Sequence, residues 1–168
     1  MTVVRAVLSD RRGAAAAEMA LVLPLLLVLT FGPLELGNYF MNQHTLVKAV
    51  RDGARFAARQ DFTNYTACSG APGGTVVADT KNVVMNGVMT GGTIITPNIQ
   101  STDVDVTTSC ATTAGGQTMS GIYAGRTNGA QIVTVSARVN YRPVLSVAGF
   151  TGIGLTLNAA SQAAVSGQ

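Results

Sequence analysis

The chain has 168 residues, enough for one small domain and an anchoring segment but not for two independent hydrophobic cores. Only 11% of the residues are charged, against about a quarter in an average soluble protein, and the formal net charge is +3. The basic residues beyond the N-terminus are scattered and have no stacking aromatic residues between them, so the sequence predicts no nucleic-acid partner.

The N-terminus combines a basic leader with an apolar segment. Residues 1–13 contain three arginines, and the 21 residues from Ala14 to Leu34 carry one charge, Glu18. A helix of that length rises about 31 Å, enough to cross a bilayer core. The segment is longer than a cleaved signal's apolar region, and no Ala-x-Ala site with a polar mature start follows it. We expect a retained transmembrane helix at residues 14–36, with residues 1–13 in the cytoplasm because Arg11 and Arg12 precede it.

Glu18 is the unusual residue of this segment. A carboxylate at mid-bilayer costs about 2.5–3.5 kcal/mol, and less near the interface. Glu18 could lie near the membrane surface and snorkel or stay protonated, or it could meet a positive partner such as an amino terminus created by proteolysis. The spacing of Gly13, four alanines and Glu18 favours the second interpretation.

Residues 37–60 have the periodicity of an amphipathic helix. The apolar side consists of Leu36, Tyr39, Phe40, Leu46, Val47, Val50, Ala54, Ala57 and Ala58, and the polar side of Asn42, Thr45, Lys48, Arg51, Asp52, Arg55 and Arg59. Together with the apolar segment, this pattern predicts one helix over residues 14–60, about 70 Å long. Pro24 and Pro33 are expected to kink or loosen it.

Residues 61–168 read as an extracytoplasmic α+β domain. A loop is predicted at Asp61–Gly74, followed by a helix at Thr75–Met89 that ends at Gly91–Gly92; the β-branched residues of this segment leave a strand as the alternative. Strands are predicted at Thr93–Thr96, 103–109, Ala130–Tyr141 and Leu155–Val165, with a mobile loop at Ala111–Gly129. The strand at Ala130–Tyr141 alternates most clearly between apolar and polar residues. We expect the amphipathic helix to pack on an antiparallel sheet of three or four strands.

Cys68 and Cys110 are separated by 42 positions in polar surroundings, which fits no zinc or redox motif. In an exported domain two such cysteines are more often paired than free, so we expect a disulfide; two unpaired thiols are the alternative.

The sequence offers little for catalysis. His44 is the sole histidine and lies on the amphipathic helix, and Asp103 and Asp105 lack further oxygen ligands nearby for calcium. No nucleophile elbow, phosphate-binding loop or metalloprotease motif occurs. We therefore predict no enzyme, no cofactor, no metal site and no small-molecule substrate.

The residues Arg11-Arg12-Gly13, four alanines and Glu18 resemble the leader of type IV prepilins and pseudopilins. The stretch from Gly13 to about Arg59 is similar to the TadE-like pseudopilins of the tight-adherence (Tad, or Flp) pilus. The matching elements are Pro24, the run Phe31-Gly32…Glu35…Gly37 and the run Ala49–Arg55; Gln131–Val165 matches loosely, and Met19 stands where the family usually has an aromatic residue.

This resemblance implies a minor pilin or pseudopilin in the bacterial inner membrane. It implies cleavage between Gly13 and Ala14 by a prepilin peptidase, with Glu18 facing a neighbouring pilin's amino terminus. The implied partners are other pilins, pilus assembly proteins, the peptidase and the lipid bilayer. The alternatives are a type II secretion pseudopilin, a signal-anchored extracytoplasmic binding protein that is never cleaved, and an anchored hydrolase, for which His44 lies too near the membrane.

Overall fold

The computed structural model describes residues 11–114, 117–144, 146 and 154–167. Its contacts divide the chain into two compact units, Met1–Asn38 and Tyr39–Gln168. Most of the predicted leader and most of the connection between the last two predicted strands lie outside the described residues.

Helix α1 runs from Arg11 to Ala58 and includes Pro24 and Pro33 in its interior. The single long helix predicted for residues 14–60 is therefore confirmed. Within the first unit its apolar side chains are exposed. Thr30 donates its hydroxyl to the Leu26 carbonyl at 2.8 Å, a local bond that a threonine makes readily within a helix.

The second unit contains five strands: β1 (Val104–Ala111), β2 (Thr113–Ala114), β3 (Gln117–Thr118), β4 (Ala130–Asn140) and β5 (Thr156–Ala164). Three of them form an antiparallel sheet in the order β1-β4-β5, and β2 pairs with β3 in a separate hairpin. Val104 is opposite Ala137, and Val139 is opposite Leu157. Because side chains alternate along each strand, these residues share the buried face. The predicted α+β class and the three-stranded sheet are confirmed.

The C-terminal part of α1 packs on this buried face. Leu46, Val50 and Ala54 are buried there. Gln43 donates its side-chain amide to the Asn158 carbonyl of β5 at 2.7 Å, and the Ala58 carbonyl accepts the backbone N–H of Ser166 at 2.8 Å. The prediction was wrong for one member of the apolar side in this unit, because Phe40 is exposed.

Helix α2 (Val76–Asn86) confirms the second predicted helix, but its end was predicted too late. Gly87 adopts a left-handed conformation (φ 73°) and donates its N–H to the Val83 carbonyl, which ends the helix before Gly91. The strand predicted at Thr93–Thr96 is wrong. The Ile95 N–H donates to the Met85 carbonyl at 2.8 Å, so this segment satisfies its backbone against the end of α2 and not in a sheet.

The long loop predicted at Ala111–Gly129 contains more structure than expected. The β2–β3 hairpin and a 3-10 turn at Gly121–Tyr123 lie within it. Gly129 is buried with φ 65°, and a Cβ atom at this position would overlap the Ala111 carbonyl oxygen. Only glycine fits this close approach before β4 begins.

Cys68 and Cys110 lie at disulfide distance, with sulfur atoms 2.19 Å apart and Cα atoms 5.0 Å apart. Beside the pair, the Thr108 N–H donates to the Gly70 carbonyl at 2.7 Å. The cross-link and this hydrogen bond attach the segment between the two helices to the end of β1.

Candidate functional site

The exposed apolar surface of the first unit is the most distinctive surface of the chain. The helix Gly13–Ala58 contains an 18-residue window with a mean hydropathy of 2.2, none of it buried. It is long and apolar enough to cross a membrane, judged by length and composition. Side chains such as Leu21 and Val28 are largely exposed, and a soluble monomer rarely exposes a contiguous apolar surface of this kind.

The three residues predicted for processing and assembly lie at the start of this helix. Gly13, Ala14 and Glu18 are all exposed. Ala14 and Glu18 are four residues apart, so they lie on the same face one turn from each other. No atom lies within 4 Å of the position that a Cβ would take at Gly13. Among the described residues, Gly13, Ala14 and Glu18 are therefore accessible to another molecule.

The polar residues considered for chemistry do not assemble into a site. His44 is exposed on α1, and no group of three metal-ligating side chains occurs within the part of the chain that the structure describes. The Asp103 carboxylate accepts the Gln100 N–H at 2.8 Å and so caps a 3-10 turn before β1. Asp105 points to the outer face of the sheet, opposite Ser136. One carboxylate of the pair therefore has a structural role, and the other is solvated.

A polar and aromatic cluster closes the C-terminal end of α1. Tyr65, which is 1% exposed, donates its hydroxyl to the Ala57 carbonyl, and its own carbonyl accepts the side-chain amide of Gln131 at 2.9 Å. The Arg126 guanidinium lies 3.7 Å from the centre of the Phe62 ring. The sequence offered no signal for this cluster, because it joins a loop, a strand and a helix end that are far apart in the chain.

Two groups in this region have shifted pKa values. Burial raises the pKa of Tyr65 to about 12. Asp61 accepts hydrogen bonds from the backbone N–H and hydroxyl of Thr63, and these bonds lower the pKa of its carboxyl, with a smaller contribution from Arg126. The lowered pKa of Asp61 favours the folded state at neutral pH, and this contribution disappears as the pH falls below about 4.

The buried Tyr65 predicts a loss of stability at alkaline pH. In the unfolded chain a tyrosine ionises near pH 10, whereas folded Tyr65 keeps its proton to about pH 12. Between these values the unfolded state binds fewer protons, so the free energy of unfolding falls as the pH rises. We expect Tyr65→Phe to be less stable at pH 8 by about 1 kcal/mol, because the Ala57 carbonyl loses the buried hydroxyl and keeps the Gln60 N–H as a donor. We expect the variant to show a smaller further loss between pH 9 and 11 than the wild type.

Urea denaturation of the wild type and the variant at pH 8, 9 and 11 measures these differences in the free energy of unfolding. The matched control is Tyr123→Phe, whose hydroxyl donates to the Val165 carbonyl but is only partly buried. Equal alkaline losses in the wild type and Tyr65→Phe would contradict the assignment.

Comparison with known proteins gives a family match within α1. The family model described as TadE-like protein matches residues 13–55, a range that lies within this helix and includes the predicted processing and assembly residues. This match confirms the resemblance seen in the N-terminal part of the sequence; the looser resemblance of Gln131–Val165 lies outside the matched range. No curated protein and no solved structure matches the chain significantly.

Proposed function

From the match of α1 to the TadE-like family, we propose that this chain is a minor pilin or pseudopilin of a tight-adherence pilus, anchored in the bacterial inner membrane by residues 14–36. The observation that carries the proposal is a family match over a helix whose apolar surface is not covered by any of the described residues of its own unit. A bilayer covers such a surface before assembly, and the apolar helices of other pilins cover it afterwards.

Glu18 has a specific role in this proposal. Cleavage between Gly13 and Ala14 would create a charged amino terminus four residues before Glu18. In a bundle of such chains the Glu18 carboxylate meets the new amino group of a neighbouring pilin. An ion pair is much stronger in a low-dielectric environment than in water, so the pair offsets the cost of placing Glu18 in the membrane and fixes the helix register.

The proposed topology places the N-terminus in the cytoplasm and the second unit outside it. Arg11 and Arg12 before the apolar segment favour this orientation. The disulfide-distance pair of Cys68 and Cys110 supports it independently, because disulfides persist mainly in oxidising compartments. The proposed partners are pilins, pilus assembly proteins, a prepilin peptidase and the lipid bilayer. The role is structural, without a reaction or a cofactor.

Mass spectrometry of the mature N-terminus tests the proposal. The full chain is expressed with and without a prepilin peptidase, and we expect a start at Ala14 only when the peptidase is present. A bulky replacement, Gly13→Leu, is expected to abolish cleavage because it fills the position on the N-terminal side of the cleaved bond. In the cleaved protein, Glu18→Gln is expected to retain processing and to lose co-isolation with other pilins.

An intact segment of residues 1–13 under both conditions would contradict the proposal. That result, together with a Glu18→Gln variant that behaves like the wild type, would favour a signal-anchored extracytoplasmic binding protein. The unmatched residues beyond 55 would then carry the function.

A further inference from the structure

The exposed side of α1 in the second unit carries a straight basic stripe. We define this stripe as His44, Lys48, Arg51, Arg55 and Arg59, which follow one another at intervals of four, three, four and four residues. The first four lie on α1, where such intervals place side chains on one face over about 17 Å, and Arg59 follows in the turn directly after the helix. All five side chains are exposed, while Leu46, Val50 and Ala54 of the same helix pack on the sheet.

The stripe accounts for the net charge of the second unit. From Tyr39 to Gln168 the chain has eight basic and five acidic residues. Four of the basic residues belong to the stripe, and Asp52 is the one acidic residue beside them. The remaining charges cancel, since the four basic residues Lys81, Arg126, Arg138 and Arg142 equal in number Asp61, Asp79, Asp103 and Asp105. The excess positive charge of the second unit therefore lies on one surface, whereas the sequence had suggested that the basic residues are scattered.

Acidic side chains of the described residues do not neutralise the charge of the stripe. Asp52 is 3.9 Å from Arg55, with exposed side chains of 48% and 66%. A solvent-exposed pair of this kind is weak, so Arg55 stays available. Lys48, Arg51 and Arg59 have no ion-pair partner among the described residues.

Two exposed apolar residues adjoin the stripe at its N-terminal end. Met41 is 72% exposed and precedes His44 by three residues, so it lies on the same face. Phe40, 51% exposed, lies at its flank. An aromatic and a methionine beside a row of cations are typical of a protein-binding surface, because apolar anchors supply affinity and the charges supply specificity. An anionic polymer would have no use for these anchors.

We propose that this face, the basic stripe with Phe40 and Met41, docks an acidic amphipathic helix of a different chain. The i, i+4, i+7 spacing matches a helix that carries carboxylates at the same repeat and an apolar pair at one end. A second copy of this chain does not fit. Two copies would bring like charges together. The exposed acidic residues of the described chain form no helical row, because Glu18 and Asp52 are far apart on α1, Asp61 lies in the loop after it and Asp105 lies on β1. This proposal rests on the proposed function in one respect: the proposed function specifies the extracytoplasmic location in which the two chains would meet.

Binding of a designed peptide to the full-length chain in neutral detergent micelles tests the proposal. The probe is a fluorescent 21-residue helical peptide with glutamates at the stripe spacing and a leucine pair at one end; the reference peptide has glutamine in place of every glutamate. Fluorescence anisotropy in about 50 mM salt measures Kd, and the binding is expected to weaken as salt is added.

Two triple variants separate the stripe from general charge. Lys48→Gln/Arg51→Gln/Arg55→Gln and Lys81→Gln/Arg138→Gln/Arg142→Gln each remove three positive charges. We expect the first to raise Kd by about tenfold or more and the second by less than about twofold, with the circular dichroism of both unchanged. Phe40→Ser/Met41→Ser is expected to weaken peptide binding severalfold.

Each other outcome would overturn the proposal. Equal losses in both triple variants would show unspecific attraction, and equal affinity for the glutamine peptide would show that charge is irrelevant. Dextran sulfate bound as tightly as the peptide, with no effect of Phe40→Ser/Met41→Ser, would assign the face to an anionic polymer. Stripe-dependent self-association would assign it to a second copy. The assay needs neither peptidase nor pilus, so its failure is separate from failure of the proposed function.

Discussion

Replacing both Cys68 and Cys110 by serine is expected to lower the free energy of unfolding of the second unit by about 3–4 kcal/mol. The cross-link closes a loop of about 43 residues, and the loss of loop entropy in the unfolded chain sets this magnitude. The loop contains α2, the segment that follows it and nearly all of β1, so the unfolded chain gains freedom across about a third of the folded unit. Urea denaturation of the full chain in detergent micelles, followed by circular dichroism, measures the change.

The control uses a reductant on both proteins. Reduction should destabilise the wild type by about the same amount as the double substitution and leave Cys68→Ser/Cys110→Ser unchanged. A serine variant as stable as the oxidised wild type would show that the pair is not bonded in solution. It would also remove the independent support for an extracytoplasmic second unit, because that support depends on an oxidising compartment.

The parts of the fold that the sequence predicted are those set by periodicity. Strand β4 alternates buried Val133, Val135 and Val139 with less buried polar residues, and a period of two has one structural meaning over that length. The spacing of Leu46, Val50 and Ala54 likewise identified the face of α1 that packs on the sheet. Both patterns could be recognised in the sequence because each element has one buried face and one face exposed to solvent.

The errors arose where a short segment had two possible partners. Thr93–Thr96 has the β-branched composition of a strand, yet four residues cannot encode which neighbour receives their hydrogen bonds, and the Ile95 N–H found the Met85 carbonyl. The end of α2 was misplaced because Gly87 and Gly91 are equally acceptable helix terminators in sequence. The choice depends on which glycine completes the last turn.

Of the two candidate surfaces, the sequence predicted the processing and assembly segment but not the docking face around the basic stripe. The Gly13 to Glu18 spacing is a local pattern and was recognised by resemblance, which the family match over residues 13–55 supports. The sequence predicted that the side chains of the basic stripe lie on the polar side of the helix, but it did not predict that the stripe adjoins exposed apolar residues. That required knowing that Phe40 is uncovered, and the apolar periodicity of α1 had predicted the opposite. Tertiary packing decides where an amphipathic helix stops being buried.

Substituting Gly53 is expected to loosen the contact between α1 and α2. A glycine inside a helix costs about 1 kcal/mol relative to alanine, so its presence calls for a packing reason. An added Cβ would overlap Cγ2 of Val84 and lie 3.7 Å from the Thr80 carbonyl oxygen. Val84 is fully buried and β-branched, so it has little freedom to turn away. We expect Gly53→Ala to lower the free energy of unfolding by about 1–2 kcal/mol, and Gly53→Leu by about 3 kcal/mol or more.

Two further variants separate packing from helix propensity. Gly37→Ala adds the same methyl group to the same helix where no atom lies within 4 Å, so its stability should equal or exceed that of the wild type. Gly53→Ala combined with Val84→Ala should be less destabilised than the sum of the single changes, because the added methyl occupies the space that valine vacates. Strict additivity would indicate that Gly53 and Val84 do not touch in solution. The close approach of α1 and α2 would then not explain the glycine, and the packing of α2 against the anchor-bearing helix would depend on Thr80 and its other contacts.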